Sequence, residues 1–409
     1  MIHQITMIEG TVTTPKGFTA NGEVCGIKEG NTTKRDLAVI YSEVPCTAAG
    51  IYTRNKVKGA PIHVTRKHLE NGVAQAVICN SGNANTCNAD GEEKAIRMAQ
   101  LAGQELGIAP EDVIVASTGV IGQPLNIAAI ENGIHGVVEG LSREGGTHAA
   151  EAIMTTDTVK KEVCALVEIG GKTVTIGAIA KGSGMIHPNM GTMLSFITTD
   201  CKISSEMLQA ALIDVGDRTY NMVSIDGDTS TNDTLTIMAN GMAGNVEIVD
   251  MGENYSAFVQ ALYQVCEQIA RMIAKDGEGA TKLLECKVTG AADVQTARVV
   301  AKSIIMSSLV KAAFFGADAN WGRILCAIGY SGADVDVHKV DVAFRSRKGI
   351  IRVCEDGAGI YFSEEIAKEI LLEDEIEILV ELKSGEAAAT AWGCDLTYKY
   401  VEINGDYRT

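Results

Sequence analysis

Proline is scarce in this 409-residue chain, at 6 residues, and aromatic side chains make up only 5%. Basic residues are also short: 35 Lys and Arg stand against 52 Asp and Glu. The resulting net charge of −17 rules against a protein that wraps nucleic acid or lies on an anionic membrane. No apolar run approaches the roughly 20 residues that a membrane helix needs. No stretch rich in proline, serine or like charge divides the chain, so any domains are joined closely. The start, Met1-Ile2-His3-Gln4, shows no basic segment followed by an apolar one, and so no secretory signal. Among the 11 cysteines there is no C-x-x-C pair, which argues against a zinc ribbon or a dithiol redox motif. Their odd number and apolar company, as in Ala76-Val77-Ile78-Cys79 and Ile324-Leu325-Cys326-Ala327, reads as buried small hydrophobes in a reducing cytoplasm.

What the chain does have is 46% hydrophobic residues and 43 glycines, a mix that suits a compact α/β body with many tight turns. The length alone allows two to three domains. Residues 73–79 form a β-rich run that ends in Asn80-Ser81-Gly82-Asn83-Ala84-Asn85, a polar, glycine-containing loop. Residues 92–106 carry apolar side chains, including Ile96, Met98, Ala99 and Ala102, at helical spacing. A strand at 113–116 ends at Ser117-Thr118-Gly119. Strands at 161–169 and 173–180 are joined by Gly170-Gly171, a hairpin turn. Helical periodicity returns at 204–215 and 255–274, and 375–382 alternates as a half-buried strand. This alternation through the whole length implies a mixed α/β fold with layered sheets.

Common signatures fail. His63 and His68 have no carboxylate or cysteine to complete a metal set. The run 226–233 (D-G-D-T-S-T-N-D) lacks the glycine and the final glutamate of a calcium loop. Neither a phosphate-binding loop nor a dinucleotide fingerprint nor a G-x-S-x-G elbow is present. The common cofactor and hydrolase signatures are therefore missing.

The most unusual stretch is 179–199, I-A-K-G-S-G-M-I-H-P-N-M-G-T-M-L-S-F-I-T-T. Gly191-Thr192 has two readings from spacing alone. One is a turn glycine followed by a β-former. The other is an internal N-terminal nucleophile, in which Gly191 permits the strained backbone that lets the Thr192 hydroxyl attack its own preceding carbonyl. Cleavage would free an α-amine of pKa about 7.7–8, suited to act as base on the neighbouring hydroxyl. Thr118 and Gly119, at a strand end, read from spacing alone as a plain β-turn. Lys181 and Glu278 read as loop charges or as partners for a zwitterion.

The segment Met185-Ile186-His187-Pro188-Asn189-Met190-Gly191-Thr192-Met193-Leu194 resembles the ornithine acetyltransferases of arginine biosynthesis. So do Asn80-Ser81-Gly82-Asn83-Ala84-Asn85, Ser117-Thr118-Gly119-Val120-Ile121-Gly122, Met154-Thr155-Thr156-Asp157-Thr158 and the run 223–234 (V-S-I-D-G-D-T-S-T-N-D-T). Asp276-Gly277-Glu278-Gly279-Ala280-Thr281-Lys282, Asn320-Trp321-Gly322-Arg323 and the end from Ala391 to Thr409 complete a likeness over essentially the whole chain.

The resemblance implies an αββα-like core akin to N-terminal-nucleophile hydrolases, with a smaller C-terminal subdomain at about 285–390. It implies self-cleavage between Gly191 and Thr192 into an α chain, 1–191, and a β chain, 192–409, that stay associated, as a dimer of αβ units. Thr192 then takes the acetyl group of N2-acetylornithine and passes it to glutamate; some members also accept acetyl-CoA as a substrate, and the resemblance implies no metal or bound cofactor. Thr118 and Gly119 fall at the oxyanion-hole positions. Thr155, Lys181, Thr192, Glu278, Asn404 and Thr409 fall at substrate-contact positions. Gly191 departs from the family's usual alanine, and His187, where alanine is frequent, reads as a neutral change. Two other readings of the nucleophile segment remain: an amidohydrolase that passes the acyl group to water, and an uncut amino-acid-binding regulator. Divided at the proposed cut, 1–191 carry −3 and 192–409 carry −14, with much of the acidity in 364–381, read as a solvated outer face.

Overall fold

The computed structural model describes residues 3–187 and 193–406. The first strands are β1 (Ile5–Ile8), β2 (Phe18–Glu23), β3 (Leu37–Tyr52), β4 (Val73–Asn80), β5 (Val113–Ser117), β6 (Lys161–Ile169) and β7 (Lys172–Lys181). Then come β8 (Leu194–Thr199), β9 (Val223–Ser224), β10 (Thr234–Ala239), β11 (Leu283–Ala291), β12 (Asp341–Ser346) and β13 (Gly349–Glu355). The last are β14 (Ala358–Gly359), β15 (Glu375–Glu381) and β16 (Ala387–Cys394). Helices α1 (Ala60–His68), α2 (Gly91–Leu106), α3 (Ile127–Glu139) and α4 (Gly146–Ala152) lie among the early strands. They are followed by α5 (Ser205–Arg218), α6 (Glu253–Lys275), α7 (Val294–Met306) and α8 (Ser308–Phe315). Finally come α9 (Trp321–Gly329), α10 (Glu364–Leu371) and α11 (Tyr398–Asp406).

The expected mixed α/β class is what the strands and helices build, in two sheets. The first runs β1-β6-β7-β8-β10-β3-β4-β5, with β2 also paired to β3. The second runs β14-β13-β12-β15-β11-β16-β9. Both faces of the first sheet are covered, and the two-residue side-chain period shows it. On β4, Val77 and Cys79 enter one core while Ala76 and Ile78 enter another beneath α2 and α3. Leu194 and Phe196 of β8 share the first of these cores, and Ile197 turns to a third. That third core is the largest. It passes through α5 and α6 into the second sheet.

Helix α6 is the bridge. Its buried stripe, including Phe258, Leu262, Val265, Ile269 and Ile273, follows helical spacing and packs on β6 and β7 as well as on β11 and β16. At Gly170 and Gly171, φ is +58° and +75°, the left-handed pair that a two-residue hairpin requires.

Two expectations change. Cys326 is exposed, because α9 buries Ile324, Ala327 and Ile328, and position 326 falls off that stripe. The acidity of 364–381 is only partly a solvated face. Glu364 and Glu365 are exposed, but Glu373, Glu375 and Glu377 pair with Arg347, Arg271 and Arg345. Among the described residues, no helix is long and apolar enough to cross a membrane.

Candidate active site

Parallel pairing of β4 with β5 sets Asn80 opposite Ser117, so both strands end at the same edge of the first sheet. Asn80 is fully buried and organises the loops that leave both strands. Its amide donates to Ser117 Oγ at 2.6 Å, and its side-chain oxygen accepts from the N–H groups of Gly82 and Asn83 at 3.1 and 3.0 Å. Thr118 N–H donates to the Asn80 carbonyl at 2.9 Å, which brings the two loops together. Gly119 has φ +129°, and a Cβ there would lie 2.9 Å from the Asn83 nitrogen. Only glycine fits that approach.

A third loop is locked onto these two by Asn232. Its Nδ2 donates to the carbonyls of Ala84 and Ser117 at 2.6 and 3.0 Å, and its Oδ1 accepts from Thr86 and Thr231. One buried amide thus uses all of its hydrogen-bonding capacity to hold three loops.

Beneath the loops lies a buried charged group. Lys161 is fully buried and donates to Asp157 and Asp276, each at 2.7 Å. Asp276 also accepts from the Thr158 N–H and hydroxyl. Asp157 in turn accepts from Thr155 N–H at 3.0 Å and Gly182 N–H at 2.7 Å, so it fixes the loop before β6 against the end of β7. Burial alone would raise the Asp157 carboxyl. The Lys181 and Lys161 charges and the Gly182 N–H instead hold it well below the usual carboxylate range.

Glu278 reaches the same place from the turn after α6. Its N–H donates to Ser183 O at 2.9 Å, and its carboxylate lies where a Cβ on Gly184 would stand. Asn404 Nδ2, on α11, donates to Glu278 Oε2 at 2.7 Å. That helix is steadied by Tyr400, whose hydroxyl donates to Asp226 at 3.2 Å, while Asp226 also accepts from the Met185 and Ile186 N–H groups.

The result is one cavity of about 130 Å³. Thr118, Gly119, Thr155, Lys181, Glu278 and Asn404 all line it, together with Asn232 and Met185. These are all the described members of the expected set; Gly191, Thr192 and Thr409 lie outside the described residues. Among the cavity groups without a hydrogen-bond partner among the described residues are the Thr118 hydroxyl, the Gly119 N–H and the Lys181 ammonium. Lys181 is only 7% exposed, and its charge, felt by Asp157, has no ion pair among the described residues.

Several residues that matter here were not singled out from the sequence: Asn232, the Asp157–Lys161–Asp276 group and Asp233. Asp233 is 1% exposed and neither of its oxygens has a hydrogen-bond partner among the described residues. Burial raises its carboxyl well above the usual range, against the pull of Ser230, Thr53 and Lys181. A polar pair placed directly before an apolar strand, Asn232-Asp233 ahead of β10, is the one signal that could have drawn attention to it. His187 is half-buried with Nδ1 3.2 Å from Ser224 Oγ, and it does not line this cavity. Among the described residues no group of three or more His, Cys, Asp or Glu side chains could hold a metal ion.

A mixed α/β body with a small polar cavity, a closed-in lysine and unoccupied donors at a strand edge belongs to the class of enzymes acting on small polar molecules. Comparison with known proteins makes this particular. The ArgJ family model matches residues 19–409, and the chain belongs to that family of arginine-biosynthesis acetyltransferases. It is 52% identical to the arginine biosynthesis bifunctional protein ArgJ of Symbiobacterium thermophilum, over 98% of this chain and 99% of that one. The crystal structure of the arginine biosynthesis bifunctional protein ArgJ of Bacillus halodurans matches with 48% identity and a TM-score of 0.50, covering 52% of this chain and 98% of that chain. The ornithine acetyltransferase of Mycobacterium tuberculosis, solved with ornithine, matches at 36% identity and a TM-score of 0.43, over 46% of this chain and 100% of that one.

Proposed function

We propose that the chain is a self-processing acetyltransferase that moves the acetyl group of N2-acetyl-L-ornithine to L-glutamate through an acyl-Thr192 intermediate. The carrying observation is the convergence of six expected residues, Thr118, Gly119 and Lys181 among them with unoccupied donors, at the start of β8. Leu194 pairs with Lys181 on one side and Thr234 on the other, and the carbonyl of Met193, the residue after Thr192, accepts from Thr234 N–H at 2.9 Å.

In the first half-reaction the Thr192 hydroxyl oxygen bonds to the acetyl carbon while its own α-amine takes the hydroxyl proton. The Thr118 hydroxyl and the Gly119 N–H face the developing oxyanion, a stabilisation of roughly 3–4 kcal/mol per donor. The C–N bond breaks, the proton passes to the leaving amine, and ornithine departs. The amine of glutamate then attacks the acyl carbon of the Thr192 ester, the C–O bond breaks, the amine proton passes by way of the Thr192 α-amine to the Thr192 oxygen, and N-acetylglutamate leaves. Lys181 and Glu278 hold the carboxylate and ammonium ends of the amino acid, with Thr155 and Asn404 beside them; Thr409 completes the set. No cofactor is required for this chemistry. The enzyme acts in the cytoplasm as a dimer of αβ units.

The chain of the Bacillus halodurans protein, 98% covered by only 52% of this chain, supports a division near the middle. Purified protein should give pieces of about 20 and 23 kDa, the 43.2 kDa divided in proportion to 191 and 218 residues. It should convert acetylornithine and glutamate to ornithine and N-acetylglutamate, and Thr192→Ala should abolish both cleavage and transfer. Acetate released in place of N-acetylglutamate would replace this reading with hydrolysis. Full activity in an uncut Thr192→Ala chain would sink it.

A further inference from the structure

A cavity of about 180 Å³ adjoins the candidate active site, and Gly119 and Thr155 line both. Its outer wall is the loop between β2 and β3, which brings Lys28 and Lys34 to it.

That loop is tightly organised. The Asp36 carboxylate accepts from the Cys25 N–H, the Ile27 N–H and Asn31 Nδ2 at 2.7, 2.8 and 2.8 Å. Asn31 closes the turn by accepting from the Lys34 N–H at 3.1 Å and donating to the Lys34 carbonyl at 2.7 Å. The Ser81 N–H donates to the Asp36 carbonyl at 2.9 Å, which ties the loop to the one that leaves β4. Asp36 is the one carboxylate lining this cavity, and those donors engage both of its oxygens.

The two lysines are less committed. Lys34 Nζ donates to the Thr155 carbonyl at 2.6 Å, and the other two of its three N–H groups have no partner among the described residues. The Lys28 ammonium has no hydrogen bond or ion pair among the described residues. Burial lowers the Lys34 pKa, and the Lys181 and Lys28 charges push it the same way, against Asp157 and Asp36. Three ammonium groups therefore share one field across the two cavities, and an anion set among them would relieve their repulsion.

The two half-reactions make opposite demands on charge. Ornithine presents a carboxylate and a side-chain ammonium, which Lys181 and Glu278 match. Glutamate presents two carboxylates around the attacking amine. With one of them on Lys181, the other would meet the like charge of Glu278 if it followed the path of the ornithine side chain. Asn404 offers no donor there, since its amide N–H groups go to Glu278 and to the Tyr400 carbonyl at 2.7 and 3.0 Å.

We propose that Lys28 and Lys34 form the subsite for the side-chain carboxylate of the acetyl acceptor. Ornithine and glutamate then share the α-carboxylate position at Lys181 and turn their side chains to opposite ends of the joined cavities. The inference rests on the acyl-transfer reading above and assigns the acceptor specificity of that site.

The test compares processed wild type with Lys28→Gln, Lys28→Glu and Lys34→Gln. Lys28 is exposed and its ammonium has no partner in the fold, so both of its variants should keep the wild-type melting temperature. The KM for glutamate should rise at least about tenfold in Lys28→Glu and by less in Lys28→Gln. Exchange of labelled ornithine into acetylornithine involves no glutamate, and its ornithine KM should stay within about twofold of wild type in both. Lys34→Gln should likewise raise the glutamate KM more than the ornithine KM. Glutamine, which has the shape of glutamate without the charge, should be a poorer acceptor for wild type, and its KM should move less than that of glutamate in Lys28→Glu. Titration calorimetry with glutamate and with ornithine should show the same contrast without turnover. Unchanged glutamate KM and affinity in Lys28→Glu would overturn the proposal. So would equal losses for glutamate and ornithine, or an equal rise for glutamine. Acetyl transfer would then stand without this subsite. Glutamate binding that weakens in Lys28→Glu, in an enzyme that transfers no acetyl group, would support the subsite and remove the acetyltransferase reading.

Discussion

Lys161 is the residue whose removal tests the architecture beneath the site most directly. It is fully buried between Asp157 and Asp276, 2.7 Å from each, and Asp157 holds the Thr155 and Gly182 N–H groups that flank the cavity. Lys161→Met keeps the length and apolar stem but leaves two carboxylates facing each other out of water. Breaking a buried ion pair in this way costs about 3–5 kcal/mol. The Lys181 charge near Asp157 survives the change and sets the expectation at the lower end, about 3 kcal/mol. The sign with pH is fixed by the direction of the Asp157 shift. In the wild type its folded pKa is depressed, so its contribution is present above the unfolded value near 3.9 and fades as pH falls below it. In the variant the two carboxylates take up a proton, their folded pKa rises, and stability is lost as pH increases. The loss relative to wild type should therefore be larger at pH 8 than at pH 5. Urea denaturation at both pH values, in a Thr192→Ala background so that each sample is one chain, reads this out. A loss under about 1 kcal/mol at pH 8, or one independent of pH, would refute the reasoning.

Two further substitutions probe the cavity itself. Gly119→Ala forces an L-residue to φ +129° and drives a Cβ to 2.9 Å from Asn83 N, so it should lower kcat for acetyl transfer by about 100-fold or more with only a modest change in melting temperature. An unchanged kcat would remove Gly119 from the oxyanion site. Asp233→Asn should stabilise the protein at pH 7 by at least about 1 kcal/mol, since the raised carboxyl pKa favours folding only at low pH and opposes it as pH rises through the folded value. The gain should shrink toward pH 4, and denaturation curves showing a less stable variant at pH 7 would contradict this.

Local order was legible wherever one periodicity dominated. The stripe of α6, the alternation of β15 and the Gly170-Gly171 turn follow from rules acting within a few residues, and each appears where spacing puts it. The second sheet was not legible as such, because it recruits the two-residue β9 from a loop far upstream of β16, its partner. Ile96, counted as part of the apolar stripe of α2, points to solvent, since a single aliphatic residue on a helix carries no obligation to be buried. The site divided in the same way. Spacing alone left Thr118, Gly119, Lys181 and Glu278 as turn residues and loop charges, and only the resemblance gave them roles. The Asp157–Lys161–Asp276 group stayed hidden because Asp276 lies 115 positions from Lys161, a separation at which no periodicity operates. Asn232 stayed hidden for a related reason: an asparagine that closes three loops looks, in sequence, like any other asparagine before a strand.

The order of strands in the first sheet bears on whether two pieces could stay together after a cut ahead of Met193. Strands β1 to β7 come from the first piece, and β8 and β10 from the second, yet β8 and β10 sit between β7 and β3. Separation would break the β7–β8 and β3–β10 ladders, six register pairs each, and open a core shared by Val12 and Ile179 with Phe196 and Met238. A cut ahead of Met193 breaks neither ladder, because the β7–β8 pairing ends at Lys181 and Leu194. The cavity is divided along the same line. Thr118, Gly119, Thr155 and Lys181 come from one side, and Asn232, Glu278 and Asn404 from the other. The contacts that shape the site are thus the contacts that hold the two pieces, and a processed enzyme could not lose its partner without losing the site.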